Sequence, residues 1–78
     1  MSNNVTTLHN FLQARHLHTR LTFSEEYTGE RHNPTWKCEA KFDGIIKGVG
    51  YGNNKADARQ EAAGEAFTVL RDELMGNE

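Results

Sequence analysis

Apolar residues in this chain change period twice, and the changes divide it into elements. From Val5 they fall at Val5, Leu8, Phe11 and Leu12, with Leu17 beyond. That spacing predicts a helix over roughly Val5–Arg15, capped by Thr6 or Asn4. Leu21, Phe23, Glu25 and Tyr27 then alternate with Thr22, Ser24 and Glu26, which predicts a strand. Glu25 falls on the apolar side of that alternation and predicts a bulge or fraying there. Gly29 to Pro34 reads as a loop. Trp36, Cys38, Ala40 and Phe42 alternate with Thr35, Lys37, Glu39 and Lys41, the clearest strand of the chain, with one apolar face and one wet face.

Asp43-Gly44 marks a tight hairpin before a third strand, Ile45 to Tyr51, which Gly48 and Gly50 weaken. The last element is a helix over about Lys55–Leu74. Ala58, Ala62, Ala63, Ala66, Phe67, Leu70 and Leu74 share one of its faces, while Asp57, Glu61, Glu65 and Asp72 decorate the solvent side. Gly64 interrupts it at a cost of about 1 kcal/mol relative to alanine, with no role evident from the sequence. The order is α-β-β-β-α, an α+β chain of two layers. The three-stranded antiparallel sheet has one apolar face, so both helices must pack on that face. One domain is expected over residues 5–74, with residues 1–4 and 75–78 as flexible termini.

Composition narrows the function. With 78 residues and 36% hydrophobic content, the chain supports one small core. It contains no apolar run near the roughly 18 residues that span a bilayer, so no membrane partner is expected. The amino-terminal residues have neither the basic region nor the apolar run of a secretory signal. A lone cysteine, Cys38, excludes an internal disulfide framework and suits a cytoplasmic or nuclear setting. The formal net charge of −2 argues against indiscriminate polyanion binding, so any nucleic-acid contact needs a local basic patch.

Such a patch is readable where Gly48-x-Gly50-x-Gly52 leads into the last helix. Lys55 and Arg59 lie four apart, on one face of its first turns. Cations there oppose the helix macrodipole at a cost of a few tenths of a kcal/mol, roughly, and an anion would remove the conflict. Free amides, a positive dipole and two cations at one place form a phosphate site. The bland reading is that both are solvated helix residues. His9, His16, His18, His32 and Cys38 have no pair at a spacing that closes a tetrahedral metal site. No Ser/Cys–His–acid arrangement is anchored to a recognisable turn. Neither a metal, nor a cofactor, nor catalysis is expected.

With these elements placed, the chain resembles the double-stranded-RNA-binding domain family over nearly its whole length. Leu8-His9-Asn10-Phe11 is similar to the family's first-helix motif. Gly29-x-x-His32-x-Pro34-x-Trp36 is similar to its first loop and following strand. Gly48-x-Gly50-x-Gly52-x-Asn54-Lys55-Ala56-x-Ala58-Arg59-x-x-Ala62-Ala63 is similar to its second-helix signature. The resemblance implies sequence-independent, non-catalytic recognition of double-stranded RNA by A-form shape. Asn3, Thr6 and Asn10 of the first helix would face one minor groove. Arg31, His32 and Asn33 of the loop would enter the next, and Asn53, Asn54, Lys55 and Arg59 would meet phosphates between them.

Three departures imply weaker binding than in a typical member. Asn54-Lys55-Ala56 replaces Ser-Lys-Lys, Glu30 replaces a proline, and Asn10 replaces a common glutamate. The competing function is protein association or weak homodimerisation through the same fold, using Leu74-Met75, the third-strand edge at Ile46, Val49 and Tyr51, or the outer side of the first helix. A KH domain, another small RNA fold with a glycine loop, fits the element order less well.

Overall fold

The computed structural model describes residues 3–76. Helix α1 spans Asn4–Gln13, and a single 3-10 turn, His18–Arg20, leads into the sheet. Strands β1 (Leu21–Glu30), β2 (Asn33–Phe42) and β3 (Ile45–Gly52) lie antiparallel in the order β1-β2-β3. Helix α2, Lys55–Met75, follows. The expected α-β-β-β-α order is therefore present, with the ends tighter than expected. Asn3 caps α1, Asn4 begins it, and α2 continues through Met75. The fraying expected at residues 1, 2, 77 and 78 lies outside the described residues.

The α1 cap is Asn3 rather than Thr6 or Asn4, its side-chain oxygen accepting from the Thr6 amide at 3.0 Å. β1 and β2 pair without interruption from Leu21↔Phe42 to Glu30↔Asn33, with Glu25 opposite Cys38. The bulge expected at Glu25 is absent, because that side chain has a partner on α2. The irregularity lies instead between Ala40 and Lys41, which pair with Gly48 and Ile46 and so skip Lys47. Asp43 and Gly44 both take positive φ, 55° and 80°, the signature of a type I′ turn.

Gly48, Gly50 and Gly52 all belong to β3, and their period of two puts all three on one face. A Cβ at Gly48 would collide with the backbone of Ala62 and Ala66, one at Gly50 with that of Ala58 and Ala62, and one at Gly52 with Ala58. A glycine stripe on the strand thus meets an alanine stripe on α2, and the two backbones nearly touch. These glycines strengthen packing where the sequence pattern implied weakness.

Beneath α2 lie Cys38, Ala40 and Phe42 of β2, and α1 closes the core with Leu8 and Leu12. Phe11 meets Phe67 edge-on at 5.4 Å between ring centres. Trp36 is half-buried at the core's margin. Leu74, expected on the core face, is 38% exposed, because α2 outruns the sheet beneath it. Gly64 gains an explanation in the α1 contact. Asn4 donates its backbone amide to Gln60 Oε1 (2.7 Å) and its side-chain amide to the Gln60 carbonyl (3.0 Å). A Cβ on Gly64 would stand 2.8 Å from Asn4 Nδ2. Among the described residues no helix is long and apolar enough to cross a membrane.

Candidate functional site

Asn54 takes the extended backbone of an N-cap, and its side-chain oxygen accepts from the Asp57 amide at 2.8 Å. Asp57 stands in the first turn of α2 and meets Asn54 Nδ2 at 3.3 Å. An acid there suits the macrodipole, so the helix start carries some negative charge of its own beside the two cations.

Those cations have different surroundings. Lys55, the first helical residue, is exposed and its ammonium lies 5.0 Å from the centre of the Trp36 ring. Among the described residues it makes no ion pair. Arg59 is one turn further on and turns toward β1. Its Nε donates to Glu25 Oε2 at 2.7 Å, its Nη2 contacts the same oxygen, and its guanidinium lies 5.2 Å from the centre of the Phe23 ring. Arg59 is thus the explanation for Glu25, a charged residue on the inner face of β1. Its position on the apolar side of the alternation was the available signal, but the partner lies 34 residues away.

Asn3 is also engaged. Besides capping α1, its oxygen accepts from Gln60 Nε2 at 2.8 Å, which ties the start of α1 to α2. Gln60 carried no signal in the sequence, since a polar residue on a helix flank is unremarkable. Asn3, Val5, Lys55, Ala56, Arg59 and Gln60 line an open hollow of about 450 Å³. Thr6 and Asn10 are exposed one turn apart on α1, and Asn53 is exposed in the bend before α2.

The segment from Gly29 to Pro34, expected as a loop, is mostly strand. Gly29 pairs with Pro34 and Glu30 with Asn33, which leaves a two-residue turn of Arg31 and His32. Both are exposed. His32 Nε2 lies 3.8 Å from Glu30 Oε1, with both side chains largely in solvent. Asn33 is the first residue of β2.

Register relates this turn to the helix tip. Trp36 pairs with Gly52, three residues before Lys55. His32 lies four residues back along the chain from Trp36, about 13 Å if fully extended. The hairpin turn and the start of α2 therefore share one end of the sheet, and the Asn4–Gln60 hydrogen bonds hold α1 beside the same helix. Among the described residues no group of three or more His, Cys, Asp or Glu is arranged to hold a metal ion. Cys38 is buried, and that burial, aided by the Glu25 charge, pushes its thiol up from the usual value, away from the thiolate that a nucleophile needs.

Residues 5–70 match the double-stranded RNA binding motif family. Ribonuclease 3 of Corynebacterium diphtheriae is 37% identical over 67 residues, which cover 86% of this chain and 26% of that protein. The chain thus spans about a quarter of the length of that relative.

Proposed function

Since this chain belongs to the double-stranded RNA binding motif family, we propose that it binds double-stranded RNA, holds the duplex at three places and does no chemistry on it. Asn3, Thr6 and Asn10 of α1 lie along one minor groove. Arg31, His32 and Asn33 reach the next, and Asn53, Asn54, Lys55 and Arg59 meet the phosphates of the intervening major groove. A-form RNA has a minor groove wide enough for such contacts and a major groove too narrow for side chains to read, so recognition is by shape and 2′-hydroxyls.

The supporting observation is the shared end of the sheet. The Trp36↔Gly52 pairing and the Lys55–Trp36 contact join the helix tip to the strand that carries the hairpin turn. Lys55 brings a charge with no ion-pair partner among the described residues, next to the free amides of a helix start.

Fluorescence anisotropy with a 20-base-pair RNA duplex tests this reading. Binding is expected for RNA and not for B-form DNA of equal length. Lys55→Ala should weaken it by roughly 1.5–3 kcal/mol, the range of a charged hydrogen bond, and the RNA should be recovered intact. Equal affinity for the two duplexes, or an unchanged Lys55→Ala variant, would count against it.

One observation favours a second reading, association between copies of the chain. Ile45, Ile46, Leu74 and Met75 are exposed at the opposite end of the sheet, where Lys47 pairs with Glu73 at 3.0 Å. A sedimentation coefficient that rises with protein concentration, and falls on Ile46→Lys substitution, would support it.

A further inference from the structure

Glu25 stands where an alternating strand ordinarily carries an apolar side chain, and its own is only 16% exposed. It faces α2 alongside Phe23, opposite Cys38. One oxygen, Oε2, receives both Nε and Nη2 of Arg59. A guanidinium has five N–H groups, so three remain, and the Arg59 side chain is 43% exposed. Lys55 has no comparable anion. Of the two cations on this face of α2, one is open and the other is already paired with Glu25.

We infer that Glu25 sets the phosphate affinity of this end of the domain by competing with RNA for Arg59. The inference rests on the reading of the α2 start as a phosphate site. Carboxylate and phosphate oxygens are equivalent acceptors for a guanidinium, so a phosphate must either displace Glu25 or share its partner. Displacement leaves a poorly solvated carboxylate unpaired, which is costly. Sharing keeps a negative charge beside the incoming phosphate. Either way Arg59 contributes less to binding than its charge would suggest, and Glu25 is the residue responsible.

The test compares the native chain with Glu25→Gln, Arg59→Ala, the double variant and Lys55→Ala, each titrated with the same RNA duplex over a range of salt. Glu25→Gln keeps the size and a carbonyl acceptor but removes the charge. It should bind about fivefold tighter, the factor that corresponds to an ion pair of about 1 kcal/mol. Its log–log salt slope should steepen by about 0.9, one further phosphate neutralised. Arg59→Ala should weaken binding less in the native background than in the Glu25→Gln background, where it should abolish the gain.

Unchanged affinity and slope in Glu25→Gln, with Lys55→Ala still weakening binding, would overturn this inference alone. Loss of effect at Lys55 in every background would instead remove the phosphate site on which it rests. Should Glu25→Gln unfold the domain, the native chain still decides. The Arg59 Nε–Hε NMR resonance should move on saturation with RNA, and a fixed resonance while Lys55 signals shift would refute the competition.

Discussion

The Lys55 ammonium sits 5.0 Å from the centre of the Trp36 ring, so the open cation at the start of α2 rests on the only tryptophan of the chain. A cation at such a face is held by about 0.5–1 kcal/mol at an exposed site. That is weak enough for a phosphate to draw it away. Trp36 emission should therefore change on titration with duplex RNA, and the change should be lost in Lys55→Ala while the protein stays folded. Steady-state fluorescence alongside circular dichroism measures both.

Glu61 and Glu65, read from the sequence as solvent-side decoration, cover the edge of the sheet. Glu65 accepts from the Val49 amide and Glu61 from the Tyr51 amide, each at 2.8 Å. These are amides that β3 offers at its outer edge, where an uncovered strand invites another chain. Replacing both with alanine should cost roughly 0.5–1.5 kcal/mol per hydrogen bond in urea denaturation. It should also promote self-association, seen as slower tumbling in NMR relaxation at high concentration. A stable, monomeric double variant would contradict the assignment.

Glycine substitutions separate two kinds of close approach. At Gly50 an added Cβ meets the α2 backbone, which cannot yield without separating helix from strand. At Gly64 it meets the side-chain amide of Asn4, which can swing away. Alanine at Gly64 gains about 1 kcal/mol of helix propensity and loses one or two hydrogen bonds of similar size, so it should change stability little. Gly50→Ala should cost on the order of 3 kcal/mol or more, the upper range of overpacking. Denaturant midpoints for the two variants should differ widely in that order.

Acid should reveal the Arg20–Asp43 pair. Arg20 Nε donates to Asp43 Oδ1 at 2.7 Å, and that hydrogen bond holds the Asp43 carboxyl below the usual carboxylate range. A depressed folded-state value means that the pair's stabilisation is fully present above the ordinary carboxylate pKa, about 3.9. It is lost as pH falls through the depressed value. Asn tolerates the left-handed backbone at this position, so Asp43→Asn is a fair control. The gap in urea midpoint between the native chain and this variant should be constant at neutral pH and close below about pH 4. A gap that does not narrow at all as the pH falls below that range would exclude the pair as its source.

The element order and the core were legible because they follow from local periodicity. Leu8 and Leu12, or Cys38, Ala40 and Phe42, repeat at the spacing that turns them to one side, and those residues are buried. Asp43-Gly44 was legible for a similar reason, since few residue pairs accept two consecutive positive φ angles. The Gly29–Pro34 segment was misread because strand pairing reached past both punctuating residues. Sequence marks where a chain is free to turn, whereas pairing across the hairpin determines where it does.

The candidate site divides along the same line. Its residue types, and the position of Lys55 and Arg59 one turn apart on a helix start, needed nothing beyond the order of residues, because helix geometry is local. The engagement of Asn3 with Gln60, of Arg59 with Glu25, and of Glu61 and Glu65 with β3 required the folded chain. Each partner comes from a separate element, and its distance depends on how closely α2 lies on the sheet. That approach is set by the glycine and alanine stripes acting together, so neither stripe alone foretells which charge remains open and which is already met.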